Sequence, residues 1–212
     1  MLPDPQTVLY TGQKWHELHI DRAGKVVLPV IRLSPGLHIA SLVLIDNYDL
    51  VKKLAGVLGD AIAEYDPNYL LCIEAKSLPL TYAICDYVNA LKRKGRRRGN
   101  VRYVVVRKSQ KVYMKSPYHV TMKSITTLEK QKLFLDRVDA AKLRSGRFVL
   151  VDDVISTGST INALLSLLKR LGLTPAAIFT VLFEGATGPS NVHYSRKGRI
   201  HSLGRIPLYV KR

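Results

Sequence analysis

Residues 148–160, FVLVDDVISTGST, set two adjacent carboxylates, Asp152 and Asp153, between an apolar run and a segment of hydroxyls and glycine. Acids placed directly behind a buried strand cost free energy unless a ligand or a charge partner meets them. Ser156, Thr157, Ser159 and Thr160 supply hydroxyl donors. Gly158 lets the backbone curl around an anion. A helix starting just after it would add unpaired N–H groups and the positive end of its dipole. Carboxylates suited to ribose hydroxyls, followed closely by a cup for a phosphate, fit a sugar phosphate. The sequence contains neither GxxxxGK[ST] nor GxGxxG, so the familiar nucleotide loops do not explain the pattern. The bland alternative, a surface loop with an N-cap serine and two solvated acids, leaves the apolar run before the acids without a reason.

The motif sits within a regular series. Residues 49–65 carry apolar side chains at Leu50, Leu54, Val57, Leu58 and Ile62, the spacing of an amphipathic helix closed by Pro67. Then come a buried strand (69–75), a helix with Pro79 in its first turn (79–91), and a β-branched strand (101–108). Residues 109–120 read as a loop or hairpin, and 124–137 contain a further strand. Strand 147–153 leads into the motif, helix 159–171 leaves it and ends at Gly172, and 176–185 is the last buried strand before an irregular tail. Strands alternating with helices predict an α/β fold, a mostly parallel central sheet flanked by helices. Residues 15–46 read instead as short strands and turns, with Pro29 marking an edge or irregular strand. The expected organisation is a separate β-rich cap at 1–48, a core at 49–185, and a segment at 186–212 that completes the cap.

Of 212 residues, 33 are Lys or Arg and 16 are Asp or Glu, a formal charge of +17 that predicts polyanionic company. The run KRKGRRR at 92–98 reads as a solvated turn, with RNA or DNA contact as the sharper alternative. Cys72 reads as a buried strand thiol, and Cys85 lies in a helical stretch. His16 and His19 have ligand spacing but no partner cluster, so no protein-held zinc is expected. No run approaches the roughly 20 apolar residues that cross a bilayer. The first residues show no basic and apolar leader pattern, and the expectation is a cytoplasmic protein.

The string VLVDDVISTGST resembles the signature of type I phosphoribosyltransferases, and the resemblance runs in order over residues 50–185. It implies that the phosphate cup holds the 5′-phosphate of phosphoribosyl pyrophosphate (PRPP). It implies a pyrophosphate loop at Glu74-Ala75-Lys76-Ser77, with Ala75, Lys76 and Ser77 joined by Arg107, Lys108 and Lys111. It implies a closing loop near 109–127, bearing Tyr113, Lys115, Tyr118 and Lys123. Asp152 and Asp153 would act at the ribose with Mg²⁺ held mainly through PRPP. Glu184 or Asp153 would manage the purine proton, and Val154, Ile155 and Phe183 would line the base pocket under an N-terminal hood. The purine branch fits best. The strand ending VLFEG resembles adenine enzymes, and the RK strand resembles the xanthine phosphoribosyltransferase and purine-repressor branch. The implied partners are PRPP, a purine base and a second copy of the chain. The alternatives are a PRPP-sensing nucleic-acid-binding regulator, a xanthine or guanine enzyme, or an enzyme for another base.

Overall fold

In a computed structural model, residues 7–95, 100–122, 131–186, 188–195 and 199–211 are described. The N-terminal alternation folds into β1 (Thr7–Leu9), β2 (Trp15–Ile20), β3 (Gly24–Ser34) and β4 (Leu37–Ala40). Pro29 explains itself in β3. The first half of that strand pairs with β2, ending at Trp15↔Pro29, and the second half pairs with β4 from Val30↔Ala40. A residue without an N–H thus stands where the strand changes partners. The strand is irregular there, though it lies between two neighbours in the sheet rather than at its edge.

α1 (Tyr48–Ala63) starts at Asn47, whose Oδ1 accepts the Leu50 N–H at 3.2 Å. Its buried face is Val51, Leu54, Ala55, Leu58, Gly59 and Ile62. Gly59 is required by packing, because a Cβ there would meet the Tyr87 ring at 2.5 Å. That ring belongs to α2 (Leu78–Lys94), which follows β5 (Tyr69–Ile73), a strand buried along its whole length. The basic run at 92–98 begins within the last turn of α2 and not as a solvated turn. Lys92 is buried, with Nζ 2.8 Å from Asp66 Oδ1 and donating to Pro67 O. Arg96 to Arg98 lie outside the described residues.

Next come β6 (Arg102–Val106), β7 (Tyr118–Met122) and β8 (Gln131–Leu135), the last two forming an antiparallel hairpin. α3 (Arg137–Arg144) was not expected from the sequence. It is only 8 residues long and buries just Ala140 and Leu143, too little for a helical period to show. Asp136 caps it by accepting the Val138 N–H. β9 (Phe148–Ile155), α4 (Ser159–Arg170) and β10 (Ile178–Glu184) follow as the pattern predicts.

The tail after 186 is irregular only in its first part, which corrects the sequence reading for the rest. It holds β11 (Ile200–Ile206) and β12 (Leu208–Val210). Gly204 concealed the first of these, since glycine weakens a strand pattern. Here glycine is a fit, because a Cβ would stand 3.2 Å from Leu182 Cδ2 on the neighbouring strand.

The core sheet has the order β11-β10-β9-β5-β6, with all pairings parallel. α1 and α2 cover one face, while α3, α4 and the β7–β8 hairpin cover the other. The second sheet has the order β1-β12-β4-β3-β2. It is not a cap with a core of its own. Ile20, Val26, Leu28, Ala40, Leu42 and Tyr209 join α1, α2 and β10 in one apolar cluster. Full burial of each large aliphatic side chain contributes about 1.5–3 kcal/mol, so this shared cluster fixes the hood firmly over the core.

Candidate active site

Parallel strands bring their carboxyl ends to one edge, where α/β sheets collect ligands. Here the ends of β5, β9 and β10 open into a cleft of about 320 Å³ beneath hood residues Ile39 to Leu42. β9 delivers the acid pair. Asp152 is buried, and its Oδ1 accepts the Asp153 N–H at 3.0 Å. Burial, and then the neighbouring Asp153 charge, push the Asp152 carboxyl well above the ordinary aspartate range. The Asp152 carboxyl therefore resists ionisation until a cation or hydroxyl donors arrive. From behind, buried Thr180 donates to Asp153 O at 3.1 Å and pins the peptide.

The cup follows immediately. Ser156, Thr157, Gly158, Ser159 and Thr160 all line the cleft. Gly158 is left-handed, at φ 76°, and is the N-cap residue of α4, so it has no side chain to spend on the first N–H groups of the helix. A Cβ at Gly158 would also press to 3.1 Å from Asn191 O. Asn162 braces the cup by donating to Asn191 O at 2.6 Å and accepting the His193 N–H at 2.7 Å.

The opposite wall is cationic. Ala75 and Lys76 line the cleft after the cis Glu74–Ala75 peptide, and Lys108 lines it from beyond β6. Ser77 does not. It is buried, and its hydroxyl donates back to Ile73 O at 2.6 Å, a local contact that holds the turn into α2. Arg107 and Lys111 are not cleft-lining either. Their charged ends lie 3.0 and 3.5 Å from Glu74, whose other contact is the Lys108 N–H at 2.7 Å. Burial raises the Glu74 carboxyl, but the Lys108 N–H, Arg107 and Lys111 outweigh it and leave a net lowering. The resemblance placed Glu74 in the loop but gave it no function, because its partners are brought to it only by the fold.

At the far end Val154, Ile155 and Glu184 line the cleft. Phe183, expected in the base pocket, faces the core instead. Its neighbour along the strand, Glu184, takes the position at the cleft, and the Phe183 ring is buried with the Arg205 guanidinium 5.5 Å away. Burial raises the Glu184 carboxyl, and Lys76 partly opposes this. Of the closing loop, Ser116 is held by Arg137, whose Nε donates to its carbonyl at 2.7 Å. Tyr113 is exposed, and Lys123 lies outside the described residues. Among the described residues no group of three or more His, Cys, Asp and Glu could cage a metal. The donors fit an oxygen-seeking Mg²⁺ that brings most of its ligands with the substrate. Among the described residues no helix is long and apolar enough to cross a membrane.

A parallel core sheet flanked by helices and a curled, largely N-terminal second sheet make up the type I phosphoribosyltransferase fold. The chain belongs to the phosphoribosyl transferase domain family, whose model matches residues 45–200. It is 31% identical over 136 residues to a hypoxanthine/guanine phosphoribosyltransferase of Methanohalophilus mahii, covering 63% of this chain and 62% of that one. It is 25% identical over 148 residues to the purine biosynthesis transcriptional repressor PurR of Bacillus subtilis, covering 69% and 47%. The match thus spans less than two-thirds of the length of these curated relatives. Among solved structures, adenine phosphoribosyltransferases from Rhodothermus marinus and Thermoanaerobacter pseudethanolicus share the fold. Their TM-scores are 0.59 and 0.57 at 14% and 17% identity, with 92% and 91% of this chain and 95% and 96% of theirs covered.

Proposed function

We propose that this protein transfers the phosphoribosyl group of PRPP to a purine base, with adenine as the first choice, releasing pyrophosphate. One observation carries the reading. A single cleft sets the acid pair and phosphate cup of β9–α4 against Lys76 and Lys108, with Glu184 at the hood end. A purine ring nitrogen attacks C1 of the ribose as the C1–O bond to pyrophosphate breaks, and pyrophosphate leaves with the bonding pair. The transition state is cationic at the sugar and anionic at the leaving group. Asp152 and Asp153 face the ribose hydroxyls, the cup anchors the 5′-phosphate, and Lys76 and Lys108 meet the leaving charge. Bound Mg²⁺ would neutralise phosphate charge beside the acid pair. Glu184, its carboxyl raised by burial, takes up or lends the purine proton. The reading further takes the protein to be a cytoplasmic homodimer. Its core begins at residue 49 and includes β11, which pairs with β10, while residues 1–48 and β12 form the hood together, in keeping with the pairing of β12 and β4.

Glu184 and the fold neighbours favour adenine. The curated relatives that are enzymes favour a 6-oxopurine, which makes hypoxanthine or guanine the second reading. The experiment is incubation with PRPP, Mg²⁺ and each of adenine, hypoxanthine, guanine and xanthine in turn, following nucleotide formation. Adenine is expected to react fastest. Faster reaction of hypoxanthine or guanine would transfer the assignment to the second reading. No product with any base would overturn the enzyme and favour a PRPP-binding regulator.

A further inference from the structure

The pyrophosphate wall contains an acid, and an acid is out of place where an anion must bind. Glu74 lines the cleft, its side chain is 15% exposed, and it occupies Arg107 and Lys111 with salt bridges of 3.0 and 3.5 Å. Its remaining contact is the Lys108 N–H. Two of the cations that the resemblance assigns to pyrophosphate are therefore turned toward a carboxylate of the protein itself. In a chain of formal charge +17, a wall of Lys76, Arg107, Lys108 and Lys111 without that carboxylate would grip a polyanion indiscriminately.

We propose that Glu74 is an internal stand-in for pyrophosphate. It holds Arg107 and Lys111 in order before PRPP arrives, yields them to the incoming diphosphate, and takes them back as the product leaves. The idea rests on the reading that this wall binds pyrophosphate, and it adds a positioning residue which that reading did not contain. Two consequences follow from elementary electrostatics. Cations already aligned need less ordering when the ligand binds, which favours productive geometry. A carboxylate left beside the bound product also repels it, so release is quickened. Tight binding common to substrate and product gains nothing in turnover when product departure limits the rate.

Glu74→Gln removes the charge and keeps an oxygen that can accept from the Lys108 N–H. Titration of wild type and variant with pyrophosphate and Mg²⁺ in a calorimeter should show the variant binding on the order of tenfold more tightly. That is the effect of one like charge a few ångströms away after solvent screening. Rapid-quench kinetics should show slower turnover after a first fast cycle. Equal or weaker pyrophosphate binding by a variant of unchanged melting temperature would overturn the proposal. A measurement on the wild-type chain guards against a variant that fails to fold. With ¹³C-labelled glutamate, the Glu74 carboxyl should titrate at higher pH once pyrophosphate has taken its partners, and an unchanged titration would overturn the idea as well. If the wild-type protein bound no pyrophosphate at all, the reading of the wall would fail along with it. If wild type bound and the variant did not tighten, Glu74 alone would be misassigned.

Discussion

The cup and the cationic wall face each other across one cleft but are built in opposite ways. The cup comes from one unbroken run, Asp152 to Thr160, and its working parts are largely backbone: a left-handed glycine and the open end of α4. The wall is assembled from Lys76 and Lys108, with Arg107 held behind it by Glu74, 33 positions away in the chain. Its working parts are long side chains that can turn. On the proposed reaction, a rigid half would suit the phosphate that stays on the sugar, and an adjustable half would suit the group that departs.

The largest test of this division is Asp153→Asn, at the rim of the rigid half. Turnover should fall by about 100-fold or more with the circular dichroism spectrum unchanged, as expected when charge at a reacting centre is removed. Full activity would mean that the acid pair does no work. A second test sets the halves against each other. Gly158→Ala forces a Cβ into left-handed backbone at a cost of about 1–2 kcal/mol, and it presses on Asn191. It should raise the KM for PRPP by roughly tenfold at any ionic strength. Lys76→Met should raise the same KM several-fold in dilute buffer and progressively less as salt is added, because exposed charges are screened. If both variants responded alike to salt, the contrast between backbone cup and side-chain wall would be wrong.

The smallest effect concerns stability. The folded protein holds the Asp152 carboxyl well above its ordinary value of 3.8, through burial and then through Asp153. As pH rises past that value the unfolded chain ionises freely while the folded chain resists, so stability is lost with rising pH. Asp152→Asn removes this loss. Its melting temperature should exceed that of wild type by about 2–4 °C at pH 7. The gap should close as pH falls toward 3.8 and below, where both proteins are neutral at that position. A gap independent of pH would show that the carboxylate was not the cause.

The same contrast explains what the sequence made legible. The cup could be read because all of its chemistry is consecutive and opens a strong helical period. The core sheet could be read because β5, β9 and β10 are apolar runs bounded by turns. Glu74 could not be read as a partner of Arg107 and Lys111, because only the parallel pairing of β5 with β6 sets them side by side. Phe183 illustrates the period-2 ambiguity of a buried strand. Neighbouring residues face opposite ways, and six of the seven positions of β10 are buried, so no polar alternation reveals which side meets the cleft. β11 escaped notice because Gly204 interrupts it and its residues, half-buried except the last, follow no hydrophobic alternation.

That overlooked tail has a mechanical meaning. Ile206 pairs with Glu184 at the floor of the cleft, and two residues later Leu208 pairs with Ile39 in its roof. Floor and roof are thus stitched together by a single stretch of chain with Pro207 in the middle. A roof sewn to its floor resists lifting like a lid, so on the proposed reading the base end would be a slot of nearly fixed height. Choice among flat heterocycles would then depend on which edge groups meet the rim of the slot rather than on how far it closes. Trimming the five residues from Leu208 onward would cut the thread, and β1, whose partner in the sheet is β12, would come away with it.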